Sequence, residues 1–129
     1  MKKTICSVVA ISTLFLSACS SPKFPETGVV SQYDGHWAGD LNSKDFRCEN
    51  ITVEFEVRYG FASGTVYDSG AVFADVWGEV GPDGKLAADI GKLGVSGASA
   101  DIQFGSDAAV GSWKSKHCTG TADLKKVEA

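Results

Sequence analysis

The chain predicts an all-β domain, foremost a small eight-stranded antiparallel up-and-down barrel, with a β-sandwich as the alternative. Three observations lead there. Short runs alternate apolar and polar residues with period two, the mark of half-buried strands. Turn residues separate the runs at short intervals, all 15 glycines lie after residue 18, and no long helical pattern appears. Cys48 and Cys118 then fall at one end of the first and last runs, where a sheet closing on itself would bring them together.

The runs are His36–Asn42, Ile51–Tyr59, Phe61–Tyr67, Ala71–Val80, Lys85–Ile90, Ser96–Phe104, Ala109–Lys114 and Cys118–Lys125. The second is the cleanest, apolar at Ile51, Val53, Phe55, Val57 and Tyr59 and polar at each position between. Its register with the third follows from a two-residue turn at Tyr59-Gly60, which pairs Val57 with Ala62 and Phe55 with Gly64. Pro82-Asp83-Gly84 suits a three-residue hairpin loop with Gly84 in the left-handed position, pairing Val80 with Leu86 and Val76 with Ile90. Asp68-Ser69-Gly70 has the same form and pairs Val66 with Val72 and Gly64 with Ala74. All three turns bring apolar partners together, and a slip of one residue would turn them outward.

These registers point Trp37, Leu41, Val53, Phe55, Val57, Ala62, Val66, Val72, Ala74, Val76, Val80, Leu86, Ala88, Ile90, Ile102, Phe104, Trp113, Ala122 and Leu124 inward. Gly39, Gly64, Gly78, Gly111 and Gly120 lie among them. Large and small side chains in alternation fill a narrow barrel. The alternative is a cavity for an apolar ligand, but no convergent polar groups appear in the inward set to orient one.

The N-terminus has the three parts of an export leader: basic Lys2-Lys3, an apolar stretch from Thr4 to Leu16, then small Ser17 and Ala18. Leu16-Ser17-Ala18-Cys19 resembles the lipobox of bacterial lipoproteins. An uncleaved spanning helix is the weaker reading, since about 20 apolar residues are needed and this stretch carries several serines. The resemblance implies cleavage before Cys19, a lipid on its thiol and a membrane anchor made of more than one acyl chain. Ser20, in the place where Asp would signal inner-membrane retention, implies the outer membrane.

Residues 1–18 are then the leader, 19–32 a polar, proline-containing tether, 33–126 the barrel and 127–129 a tail. With Cys6 discarded and Cys19 lipidated, Cys48 and Cys118 remain as the pair expected to form a disulfide in an exported chain. The leader removes two of 12 basic residues and none of the 16 acidic ones. The acidic balance argues against a nucleic-acid partner.

No catalytic site, cofactor or metal site is expected. His36 and His117 sit at opposite ends of the meander, and no serine or carboxylate has a partner in register for acid–base chemistry. The feature that asks for a function is aromatic. The registers turn Phe61, Tyr67, Phe73 and Trp77 outward, with Phe61 opposite Trp77 and Asp89 across from Trp77, a candidate partner surface.

Phe104-Gly105-Ser106-Asp107-Ala108-Ala109-Val110-Gly111-Ser112-Trp113 resembles the penultimate hairpin of transferrin-binding-protein-like barrels, although it is shorter and lacks the Glu usual before the glycine. Periplasmic protease-inhibitor lipoproteins have a similar barrel, with cysteines closer together than Cys48 and Cys118. The expected function is that of an outer-membrane-anchored envelope lipoprotein with a non-catalytic barrel acting through protein contacts. The alternatives are an inhibitor of a protease or lysozyme and a lipocalin-like carrier of a small apolar ligand.

Overall fold

Eight antiparallel strands close into one barrel in which each strand pairs with its neighbour in sequence. They are β1 (Gly35–Ser43), β2 (Ile51–Arg58), β3 (Phe61–Asp68), β4 (Ala71–Glu79), β5 (Lys85–Lys92), β6 (Val95–Phe104), β7 (Ala108–Ser115) and β8 (Thr119–Val127). The computed structural model describes Phe24, Pro25 and residues 27–127; the leader, Cys6 and Cys19 lie outside these residues. The first and last strands meet along a seam from His36 opposite Val127 to Ser43 opposite Gly120. The architecture is therefore a closed barrel and not a sandwich. "Bottom" below means the end where β1 begins and "top" the end where it finishes.

Local chemistry explains most of the hairpins. Tyr59-Gly60, Ser69-Gly70 and Leu93-Gly94 each have two successive positive φ angles, the mirror-image turn whose twist matches that of the strands it joins. The Tyr59-Gly60 turn gives the expected pairs Val57 with Ala62 and Phe55 with Gly64. The Pro82-Asp83-Gly84 loop gives Val80 with Leu86 and Val76 with Ile90, also as expected.

The β3–β4 register differs from expectation. Ser69-Gly70 forms a two-residue turn in place of a three-residue one, so Asp68 faces Ala71 and Tyr67 faces Val72. A bulge between Val66 and Tyr67 then restores the faces, with Val66 opposite Ala74 and Gly64 opposite Val76. The extra residue is Phe73. Val72, expected in the core, is instead solvent-exposed. A second bulge in the β5–β6 hairpin, between Ile90 and Gly91, lies just below the Leu93-Gly94 tip.

Apart from Val72, and from Val80, which is half-buried against the core, the large residues of the expected inward set are buried, and Ala100, Ala109 and Cys118 join them. No polar or charged side chain among the described residues is buried. Near the bottom, Phe104 meets Trp37 edge-on at 4.7 Å, Phe55 at 6.1 Å and Tyr33 at 5.7 Å. Offset and edge-on geometry is what the ring quadrupoles favour. The Trp37 indole donates to the Tyr33 carbonyl at 3.0 Å, and the Trp113 indole donates to the Asn42 carbonyl at 3.2 Å. Each buried N–H thus has a partner, as burial demands. Gly111 lies close against β6 and Gly120 close against β1 at the seam: a Cβ on the first would collide with the Asp101 carbonyl and one on the second with the Asn42 carbonyl.

The outer wall carries Asp40, Glu54, Asp75, Asp89, Asp101 and Asp123 around its middle. A lipid-facing barrel needs an apolar band at that height. Among the described residues no helix is long and apolar enough to cross a membrane.

The segment entering the barrel is held to its bottom. Asp34 accepts hydrogen bonds from the Tyr59 and Gly60 amides at 2.8 and 3.0 Å. Phe24, within the expected tether, packs edge-on against Phe61 at 6.3 Å, and the Arg58 guanidinium lies 4.5 Å above its ring. At the other terminus β8 runs to Val127, one residue beyond the expected end of the domain.

Candidate functional site

The top of the barrel begins with the disulfide. Asp45 starts a single 3-10 turn (Phe46–Cys48) by accepting from the Arg47 amide at 2.9 Å, which presents Cys48 toward β8. Cys48 is bonded to Cys118, across a sequence separation of 70 residues. The Arg47 guanidinium also donates to the Asp45 carboxylate, at 2.7 Å through Nη2. These hydrogen bonds from the Arg47 side chain and then its amide lower the Asp45 pKa from 3.8 to about 2.

A group depressed in the folded state contributes above its unfolded pKa and loses that contribution as the pH falls through the folded value. The Asp45 carboxyl carbon is therefore expected to titrate with a midpoint near 2 by carbon-detected NMR. A midpoint at the usual 3.8 would mean that the turn is not held by this pair. The effect on overall stability should be small, because exposed pairs contribute little.

The four outward aromatics do not form one patch. Phe61 faces Glu79 and Trp77 faces Ser63, so Phe61 and Trp77 are not opposite one another as expected; the two-residue Ser69-Gly70 turn and the β3–β4 bulge each shift the partners by one residue. Asp89 does face Trp77. Phe61 is half-buried at the bottom under Phe24, and Trp77 is half-buried midway up the wall. Tyr67 and Phe73 lie near the top, Tyr67 half-buried and Phe73 exposed.

What the structure gathers instead is an apolar rim at the top. Val72 is 73% exposed, Phe73 50%, Leu93 95% and Val95 72%. Two devices place them there. The bulge leaves Val72 and Phe73, consecutive residues, both on the outer side of β4. The Leu93-Gly94 turn puts a large aliphatic residue where turns normally carry small polar ones. The two tips adjoin, since the Lys92 ammonium lies 5.1 Å above the Phe73 ring.

Sequence reasoning found Phe73 but missed Val72, Leu93 and Val95. The available signal was Gly91-Lys92-Leu93-Gly94, a hairpin tip with an apolar residue at its centre.

His36 lies at the bottom, opposite Glu56 and Val127, whereas His117 precedes β8 at the top. Among the described residues no three His, Cys, Asp or Glu side chains come together as metal ligands. Comparison of the chain with protein-family models, curated proteins and solved structures finds no match.

Proposed function

We propose that this is an envelope lipoprotein, lipidated at Cys19 and held at the outer membrane, whose barrel works without catalysis by contacting another envelope protein. The observation that carries the contact is the apolar rim of Val72, Phe73, Leu93 and Val95. Single exposed apolar residues need no explanation, but a cluster on one rim is the usual character of a protein contact. Phe73, an aromatic with Lys92 above it, supplies the kind of anchor that dominates such interfaces.

Geometry supports the arrangement. Between Cys19 and Phe24 lie only Ser20, Ser21, Pro22 and Lys23, a reach of about 17 Å when fully extended. With Phe24 seated beside Phe61, a lipid on Cys19 would keep the bottom near the membrane. The rim, at the other end, would project away from it.

One experiment addresses both parts. The protein carrying a photoreactive residue at Leu93 is irradiated in intact envelopes, and the product is analysed by intact mass. A diacylated Cys19 and a discrete cross-linked partner are expected. The partner should fall about tenfold when Val72 and Phe73 become serine, a loss of about 1.4 kcal/mol. An unmodified Cys19 would remove the anchor, and unchanged cross-linking in the variant would remove the rim.

A further inference from the structure

A second feature occupies the opposite side of the same end. A shallow groove of about 1020 Å³ runs over the outer face of β6, β7, β8 and the end of β1, below the link that follows β1. Its floor is a row of short polar side chains. Asn42, Thr121, Ser112 and Asp101 are direct neighbours across the four strands. Strands lie about 4.8 Å apart, so the row offers a hydrogen-bonding group at that interval. All four side chains are exposed, with their polar atoms open to a ligand.

Lys44, Lys114 and Lys116 stand around this floor, and among the described residues none of them makes an ion pair. Facing them are Asp101 on the floor and Asp45, the latter already neutralised by Arg47. The whole chain has a net charge of −4, whereas the groove's own lining sets three lysines against Asp101 and the Arg47-paired Asp45, with Asp40 and Asp123 facing each other one outward row lower on β1 and β8. Low ridges of lysine around small hydroxyl side chains also explain why there is a depression here at all.

We propose that this groove binds an acidic saccharide chain, its carboxylates or phosphates held by Lys44, Lys114 and Lys116 and its hydroxyls by the Asn42-to-Asp101 row. Evenly spaced polar groups around the curved wall match a repeating polyhydroxylated chain that bends with the barrel. A compact inorganic anion would use the lysines and leave the row idle. Trp113, the nearest indole, is buried inside the barrel and offers no stacking face, so charge and hydrogen bonds carry the binding. Such binding is weak, and it falls with salt because exposed charges are screened over about 8 Å at physiological ionic strength. It does not require lipid on Cys19, and it is independent of the apolar rim.

The test is titration of the isotopically labelled full-length protein with oligogalacturonate, followed by amide NMR. Neutral galacto-oligosaccharide, tripolyphosphate and phosphatidylglycerol vesicles serve as comparison probes. Oligogalacturonate should shift the amides of Ser99, Asp101, Ser112, Lys114 and Thr121 and bind more tightly than any of the other three. Lys114→Gln with Lys116→Gln should weaken it about tenfold. Ser112→Ala with Thr121→Val, which leaves the charge untouched, should weaken it about threefold. All four positions are exposed, so the variants should keep the fold, with the unchanged amide spectrum of the far wall as the check. Shifts confined to other faces, tripolyphosphate or vesicles binding as tightly, or no response to the hydroxyl pair would each overturn the proposal.

Discussion

Replacing Cys48 and Cys118 together by alanine is expected to lower the unfolding free energy by about 4 kcal/mol in the chain-entropy account of cross-links. The bond closes a segment of 70 residues, most of the barrel, and a long closed loop restricts the unfolded chain most. It also acts at a particular place. Cys48 follows β1 and Cys118 precedes β8, so the cross-link spans the seam where the first and last strands pair. That seam contains the pairings of highest sequence separation, His36 with Val127 among them.

Small domains have a net stability of about 5–15 kcal/mol, so the loss would be a large fraction of the whole. Urea unfolding with and without reductant measures it. With a slope of about 2 kcal/mol per molar, the midpoint should fall by about 2 M. A fall below about 0.5 M, corresponding to about 1 kcal/mol, would show that the seam closes as readily without the bond.

Trp37→Ala is expected to cost about 3–5 kcal/mol, the range for truncating a fully buried aromatic residue. Trp37 is 1% exposed and stands edge-on to Phe104, which also meets Phe55 and Tyr33. Removing it opens a cavity at the bottom of the barrel and leaves the Tyr33 carbonyl without its indole donor. Tyr33 then loses part of what holds it over Phe104, so the cost includes a loosened plug as well as lost burial.

Trp37→Phe separates the two contributions. It keeps an aromatic ring but no N–H, and should cost about 1–2 kcal/mol from the missing hydrogen bond, with a further penalty from the smaller ring. Both are read from the midpoint of thermal or urea unfolding. If Trp37→Ala lowered stability by less than about 1 kcal/mol, the bottom of the barrel would not be packed as the contacts imply.

Much of this barrel is legible before any coordinates. The alternation in Ile51–Arg58 assigns both its strand and its buried face, and the turns at Tyr59-Gly60 and Pro82-Asp83-Gly84 set two registers. The β3–β4 register is not legible, for a physical reason. Side chains alternate with period two, so a shift of two residues keeps each face almost unchanged. Val66 can face Val72 or Ala74, and Gly64 can face Ala74 or Val76, with apolar partners either way. The choice falls to the turn at Ser69-Gly70 and to the bulge beside it. That choice moves Val72 from the core to the rim and separates Phe61 from Trp77, which is why the candidate surface shifted to the top.

The groove was hidden for a related reason. Asn42, Asp101, Ser112 and Thr121 are scattered along the chain and unremarkable singly. They become a row only when four strands align, including the two ends of the chain at the seam. Phe24 is similar: nothing periodic surrounds it, and its place beside Phe61 and Arg58 exists only once β2 and β3 have paired.

Composition and period alone established eight strands, the inward face of nearly all of them and the end at which Cys48 and Cys118 would meet. Each of these depends on residues close together in the chain, where alternation and turn chemistry act directly. The register of β1 on β8, the two bulges, the exposed rim and the polar row came only with the assembled barrel. They depend on which distant strands lie side by side, and at that range packing and register decide among arrangements that local patterning leaves equally good.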